Sequence, residues 1–147
     1  MTQEKKYQAL HDNKIFIGGA ADVQAMVENE QIDVIVDLRG EAKECAYPEA
    51  KAEWVQIPLG DEATEPQDVL FQRAIQEVID AYQSGKKVAF HCNGGRGRTG
   101  AVAVGTLLNL GLADSLADAE DKVKAIRPEI NIKPKQRESL AKMYPNG

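Results

Sequence analysis

Between residues 88 and 110 an apolar run, a glycine-rich polar stretch and a second apolar run follow one another directly. Val88-Ala89-Phe90 leads into His91-Cys92-Asn93-Gly94-Gly95-Arg96-Gly97-Arg98-Thr99-Gly100, and Ala101 to Leu110 leads out. A chain with this order reads as buried strand, tight loop and buried helix. A loop that opens a helix turns several backbone N–H groups toward one point, and the helix dipole adds positive potential there. Such a cup suits a phosphate, a sulfate or another tetrahedral oxyanion. This one also carries a cysteine at its head and an arginine six residues later.

The flanking pattern sets the architecture. Ile15-Phe16-Ile17, Ile32 to Leu38, Trp54 to Ile57 and Lys87 to His91 read as strands, and the unbroken Val34-Ile35-Val36 suits a strand covered on both faces. Ala21 to Asn29 has helical spacing. In the clearest helix Val69, Leu70, Ala74, Ile75, Val78, Ile79 and Tyr82 share a face, and Gly85 ends it. Ser115 with Asp118 makes a cap for a helix reaching Ile126, and a last helix runs from about Lys135 to Tyr144. Strands alternating with helices predict an α/β fold: a single three-layer domain over residues 1–147, with a central mostly parallel sheet of about four to five strands flanked by helices. Residues 1–12 read as an N-terminal arm. In such sheets the site lies beyond the carboxyl ends of the strands, where the Cys92 loop falls.

Composition narrows the function classes. The net charge of −5 and the lack of a basic run argue against a nucleic-acid binder, while Arg96 and Arg98 still allow a local cationic pocket. No window reaches the length of a membrane span, and the polar N-terminus does not read as a signal peptide. Two cysteines, Cys45 and Cys92, are too few for a secreted disulfide framework, so a reducing cytoplasmic location is expected.

The loop residues map onto phosphate chemistry. A thiol becomes a strong nucleophile when ionised, and a helix N-terminus with nearby guanidinium groups lowers its pKa. Cys92 is therefore the candidate nucleophile. Arg98 offers a planar fork for two phosphoryl oxygens. Asn93, Gly94, Gly95, Arg96 and Gly97 form the cradle, its glycines allowing positive φ and close backbone approach. Thr99 either caps the helix or steadies the sulfur as it leaves. His91, at the end of a buried strand, is expected to brace the loop rather than move protons. Ester cleavage also needs an acid. Asp61, Glu62 and Glu65 occupy the loop after the third strand, with Asp61 first. Asp37 followed by Arg39 reads as a structural ion pair. Cys45 reads as an unpaired loop cysteine, the alternative being an oxidation-dependent disulfide with Cys92.

The run His91-Cys92, five residues, Arg98-Thr99 resembles the signature of the cysteine-dependent protein tyrosine phosphatases, and the small size resembles their dual-specificity branch. Trp54-Val55-Gln56-Ile57-Pro58-Leu59-Gly60-Asp61 resembles the segment that ends in the family's general acid, and Arg127-Pro128 before a final helix also fits. The resemblance implies a phosphatase acting on phosphorylated proteins or small phosphate esters through a phosphocysteine, with Asp61 as acid and no metal or cofactor. Gln136 lies near a position some relatives use to orient water. Arg96, within the loop, is compatible with phosphoinositide substrates as well as phosphoproteins. A rhodanese-type sulfurtransferase is the main rival; it suits Asp37-Leu38-Arg39 but not His91, the Arg98-Thr99 pair or Asp61.

Overall fold

A computed structural model of the protein describes residues 6–60 and 66–145. Five strands form one sheet: β1 (Gln8–His11), β2 (Ile15–Gly19), β3 (Val34–Asp37), β4 (Glu53–Gln56) and β5 (Val88–Cys92). Their order is β1-β2-β5-β3-β4, with β1 antiparallel to β2 and every other pair parallel. The strand carrying Cys92 is thus central. Its register sets Cys92 opposite Gly19 on one side and His91 opposite Asp37 on the other.

Residues 8–11 correct the expectation of an N-terminal arm. They pair with β2, and Leu10 is buried. A short strand with little alternation leaves no periodic signature, so only the partner strand defines it.

Alternation along the strands divides the core in two. Phe16, Ile35 and Ala89 face α1 (Val23–Glu30), joined by Tyr7, Met26 and Trp54. Ile15, Ile17, Val36, Phe90 and Cys92 face the other side, covered by α2 (Gln67–Gln83), α3 (Arg98–Asn109), α4 (Leu116–Ile126) and α5 (Pro134–Met143). The expected three-layer α/β sandwich is present. Cys45 packs with the α1-side core and Cys92 with the opposite one, so the sheet stands between the two thiols.

The central helix α3 is apolar all round because it is enclosed, with Thr99 to Leu107 buried throughout. On α2 the buried face differs by one position from the sequence reading: Phe71 is enclosed and Val69 is 43% exposed. Gly85, at φ +83°, ends that helix in the left-handed region as expected. Ser115 accepts the Asp118 N–H at 3.1 Å to start α4.

Candidate active site

The loop between β5 and α3 is held from behind. Asn93 O accepts the Ala20 N–H at 3.0 Å and Arg96 O accepts the Asn131 N–H at 3.2 Å. Between them, Arg127 donates through Nε to Gly95 O at 2.8 Å and through Nη2 to Gly94 O at 3.4 Å. Every carbonyl from residue 93 to 96 is therefore drawn outward. In a planar trans peptide the next N–H points the opposite way. The N–H groups of Gly94, Gly95, Arg96 and Gly97 are consequently turned away from those braces, and that of Gly95 reaches Cys92 Sγ at 3.2 Å.

Of the loop glycines only Gly95 takes a positive φ, +69°, and a Cβ there would lie 2.6 Å from the Gly18 backbone. Gly97 is needed for space instead, because a Cβ would meet the Gln136 side chain at 2.9 Å. Gln136 is occupied in capping α5, its Oε1 accepting the Lys133 N–H at 2.9 Å. Gly94 meets neither constraint.

Cys92 is 3% exposed. Burial pushes its thiol pKa up. Hydrogen bonds from the Thr99 hydroxyl and from the Thr99 and Arg96 backbone, with the Arg98 charge, outweigh that and hold it below the ordinary thiol value. The Thr99 hydroxyl lies 3.1 Å from Sγ. Thr99 thus does more than cap a helix.

Arg98 reaches back over the site as its place at the helix start allows. Its Nη1 and Nη2 grip Glu41 at 2.8 and 3.1 Å, and Nη1 also donates to Leu59 O at 3.1 Å. Glu41 raises the guanidinium pKa further. These contacts use one edge of the fork. The other edge, Nε–H with the second Nη2–H, carries none of these bonds and so keeps the bidentate geometry that a phosphoryl group requires. Asn93 and Arg96 project their side chains into solvent.

His91 is fully buried. Burial holds its pKa below the ordinary value, so the ring is neutral at pH 7. Its Nδ1 lies 2.9 Å from Cys92 O, which places the proton on Nδ1 and makes His91 a brace for the cysteine. Nε2 is then bare, without a hydrogen-bond partner among the described residues, 3.8 Å from Asp37 Oδ1. Asp37 is tied elsewhere: Arg39 donates to it through Nε and Nη2, both at 2.9 Å, and Trp54 Nε1 at 3.0 Å. Burial raises the Asp37 pKa, and these donors overcome it to leave the carboxyl below its usual range. The expected Asp37–Arg39 ion pair is in place.

Asp61, Glu62 and Glu65 lie outside the described residues. Gly60, directly before Asp61, lines a cleft of about 700 Å³ together with Arg98 and Glu41. Among the described residues no cluster of His, Cys, Asp and Glu has the makings of a metal site, and no helix is long and apolar enough to cross a membrane.

Two site residues escaped the sequence reading. Glu41 sat in a charged loop with nothing to distinguish it from its neighbours. Arg127 stands out in the sequence only beside Pro128, whereas it is 4% exposed and also binds Lys6 O and Gln8 Oε1 at 2.6 and 2.7 Å. No local pattern predicts either contact.

Comparison with known proteins gives the family and the fold. The model of the family "Dual specificity phosphatase, catalytic domain" matches residues 15–145. A candidate tyrosine phosphatase, 067L of Invertebrate iridescent virus 3, is 31% identical over 98 residues, spanning 61% of this chain and 40% of the viral protein's length. Among solved structures, a mouse candidate dual specificity phosphatase complexed with zinc tungstate is 20% identical, with a TM-score of 0.80 over 97% of this chain and 88% of its own. Human DUSP28 is 21% identical, with a TM-score of 0.76 over 95% and 93%. PTPMT1 in complex with PI(5)P is 18% identical, with a TM-score of 0.77 over 95% of both chains. These solved structures share the fold, and the family match over most of the chain leads to one conclusion: this chain belongs to the dual specificity phosphatase catalytic domain family.

Proposed function

We propose that the protein is a phosphatase that hydrolyses phosphate monoesters, on phosphotyrosine or phosphoserine/threonine proteins or on smaller esters, through a phosphocysteine. The observation that carries this reading is the setting of Cys92 Sγ, with the Thr99 hydroxyl at 3.1 Å, the Gly95 N–H at 3.2 Å and a depressed pKa. A buried thiol surrounded by donors is held as a thiolate nucleophile.

In the first step the Cys92 thiolate attacks phosphorus in line with the ester oxygen. The P–O bond breaks, and the departing oxygen takes a proton from Asp61. The free edge of Arg98 and the loop N–H groups hold the three equatorial oxygens, whose charge they match in the transition state. In the second step Asp61, now a carboxylate, takes a proton from water as its oxygen attacks phosphorus. The S–P bond breaks and the thiolate returns, received by the Thr99 hydroxyl. His91 fixes the Cys92 backbone throughout. The position of Gly60 on the cleft beside Arg98 supports Asp61 in this role. The complex of the mouse relative with zinc tungstate supports oxyanion binding by a protein of this fold. A reducing compartment, the cytoplasm, suits a protein that must keep Cys92 as a thiol.

The test is p-nitrophenyl phosphate hydrolysis with phosphoenzyme trapping. Wild type should release phosphate and form an acid-stable phosphoenzyme, and Cys92→Ser should do neither while still binding phosphate or sulfate. Turnover by Cys92→Ser, or thiosulfate:cyanide sulfur transfer without phosphate release, refutes the mechanism. The PTPMT1 complex with PI(5)P and the exposed Arg96 together keep phosphoinositides among the esters to be assayed, with Arg96→Ala as the comparison.

A further inference from the structure

The carbonyls drawn away from the Cys92 loop are not all held alike. Asn93 O and Arg96 O accept backbone N–H groups, those of Ala20 and Asn131. Gly94 O and Gly95 O depend on a side chain: among the described residues Arg127 is the only donor to either. Both of these peptides bear on the sulfur. The one that carries Gly94 O also carries the Gly95 N–H, 3.2 Å from Cys92 Sγ. The one that carries Gly95 O also carries the Arg96 N–H, whose hydrogen bond favours the thiolate. Glycine at 94 and 95 lets these planes rotate at little steric cost. Their direction is therefore set by where the Arg127 guanidinium stands.

That guanidinium is a strut with two ends. Nε and Nη2 meet the loop at 2.8 and 3.4 Å. The remaining nitrogen, Nη1, donates to the N-terminal segment, to Lys6 O at 2.6 Å and to Gln8 Oε1 at 2.7 Å. Nη1 has two hydrogens, so these two acceptors fill it. Glu129 is the competitor: its Oε2 lies 3.4 Å from the same nitrogen, on a side chain 48% exposed. A carboxylate attracts a guanidinium strongly, so with Gln8 gone the group would swing toward that carboxylate and loosen its grip on the loop. Gln8 itself is fixed by β1, where it pairs with Ile17 and the neighbouring Leu10 is buried. Because β2 stands between β1 and β5, only a side chain as long as arginine's joins that strand to the loop.

We propose that Gln8 is a positioning residue for the Cys92 loop: with the Lys6 carbonyl it fixes Arg127, and through Arg127 it keeps the Gly95 and Arg96 N–H groups turned toward the sulfur and a bound oxyanion. The edge strand β1 thereby belongs to the phosphate site, although it lies behind the loop. This rests on the reading of Cys92 as the nucleophile and adds a residue to it.

The experiment follows, on the full chain, the pH dependence of iodoacetamide alkylation at Cys92 (located by peptide mass), the Kd for inorganic phosphate by calorimetry, and kcat/KM on p-nitrophenyl phosphate. Gln8→Met keeps the side chain's length and removes its strong acceptor. It should weaken phosphate binding by about three- to tenfold, with a matching fall in kcat/KM, as the loss of one charge-assisted hydrogen bond acting through a neighbour implies. The alkylation pKa should rise by roughly half a unit. Gln8→Glu keeps an acceptor at the same reach and should lie closer to wild type than Gln8→Met in every readout. Leu10→Val loosens the packing of the same strand without touching Arg127, so it should lower the melting temperature and leave alkylation and phosphate affinity unchanged. In an Arg127→Lys background, where the fork is gone, Gln8→Met should add nothing further. The proposal is overturned by Gln8→Met matching wild type in alkylation and phosphate affinity, by equal shifts in Leu10→Val, or by a full additional effect on top of Arg127→Lys. Alkylation and phosphate binding need no turnover. If wild type does not hydrolyse p-nitrophenyl phosphate, the phosphatase reading falls while those two readouts still decide the role of Gln8.

Discussion

Replacing Thr99 by valine keeps the shape of a fully buried side chain and removes the hydroxyl that lies 3.1 Å from Cys92 Sγ. A hydrogen bond to a charged group contributes about 1.5–3 kcal/mol, and sulfur as a diffuse acceptor belongs at the low end. At about 1.4 kcal/mol per pKa unit, the Cys92 pKa should rise by about one unit. The sign follows from which form loses a partner: the thiolate loses its donor, so the thiol is favoured. The rate of iodoacetamide alkylation against pH reads this directly, and the acid limb of kcat/KM should move to higher pH by the same amount. Phosphocysteine breakdown should also slow, because the leaving thiolate is less stable. Linkage adds a stability signature. The folded Cys92 pKa lies below the unfolded one, so its contribution is complete above the unfolded thiol's pKa and is lost as pH falls through the folded value. Thr99→Val should shrink that contribution, and Thr99→Ser should preserve it. Superimposable alkylation curves for wild type and Thr99→Val, or an equal shift in Thr99→Ser, would refute the role given to the hydroxyl.

Other perturbations test separate parts of the site. Glu41→Gln frees one edge of Arg98 from a partner whose side chain is 55% exposed, so the expected effect is moderate, a rise in KM for p-nitrophenyl phosphate of about three- to tenfold with little loss of stability. Gly95→Ala forces a Cβ to 2.6 Å from Gly18 at φ +69°; unfolding by denaturant should show a loss of about 2–4 kcal/mol, and a near-neutral result would mean that the loop is not braced as described. Asp61→Asn should remove the alkaline limb of a bell-shaped kcat/KM profile centred at roughly pH 5–6.5 and slow alkyl phosphates more than activated aryl ones. Equal slowing of both classes would move the acid to Glu62 or Glu65.

The chemistry of the loop was legible because its parts are neighbours in the chain. His91, Cys92, the cradle, Arg98 and Thr99 fall within one strand–loop–helix passage, where glycine, a buried strand and an apolar helix constrain each other locally. The Asp37–Arg39 pair, two residues apart, was legible for the same reason. The α2 face was readable from its period, except at its first turn, where Phe71 rather than Val69 turns inward because the neighbouring core decides which edge of the stripe is covered.

Tertiary structure alone decided how that loop is held. Arg127 reaches Gly95 across 32 residues, and Glu41 reaches Arg98 across 57, contacts that no local periodicity encodes. The same holds for β1, whose short run becomes a strand only because β2 offers an open edge, and for Gly97, whose lack of a side chain matters only once Gln136 of α5 arrives. The sequence by itself determined the reactive groups, the central strand and the α/β order. The fold supplied the second partner of each group, the outward pull on four carbonyls and the edge of Arg98 left open by Glu41, because those depend on which distant segments the sheet order brings to one end.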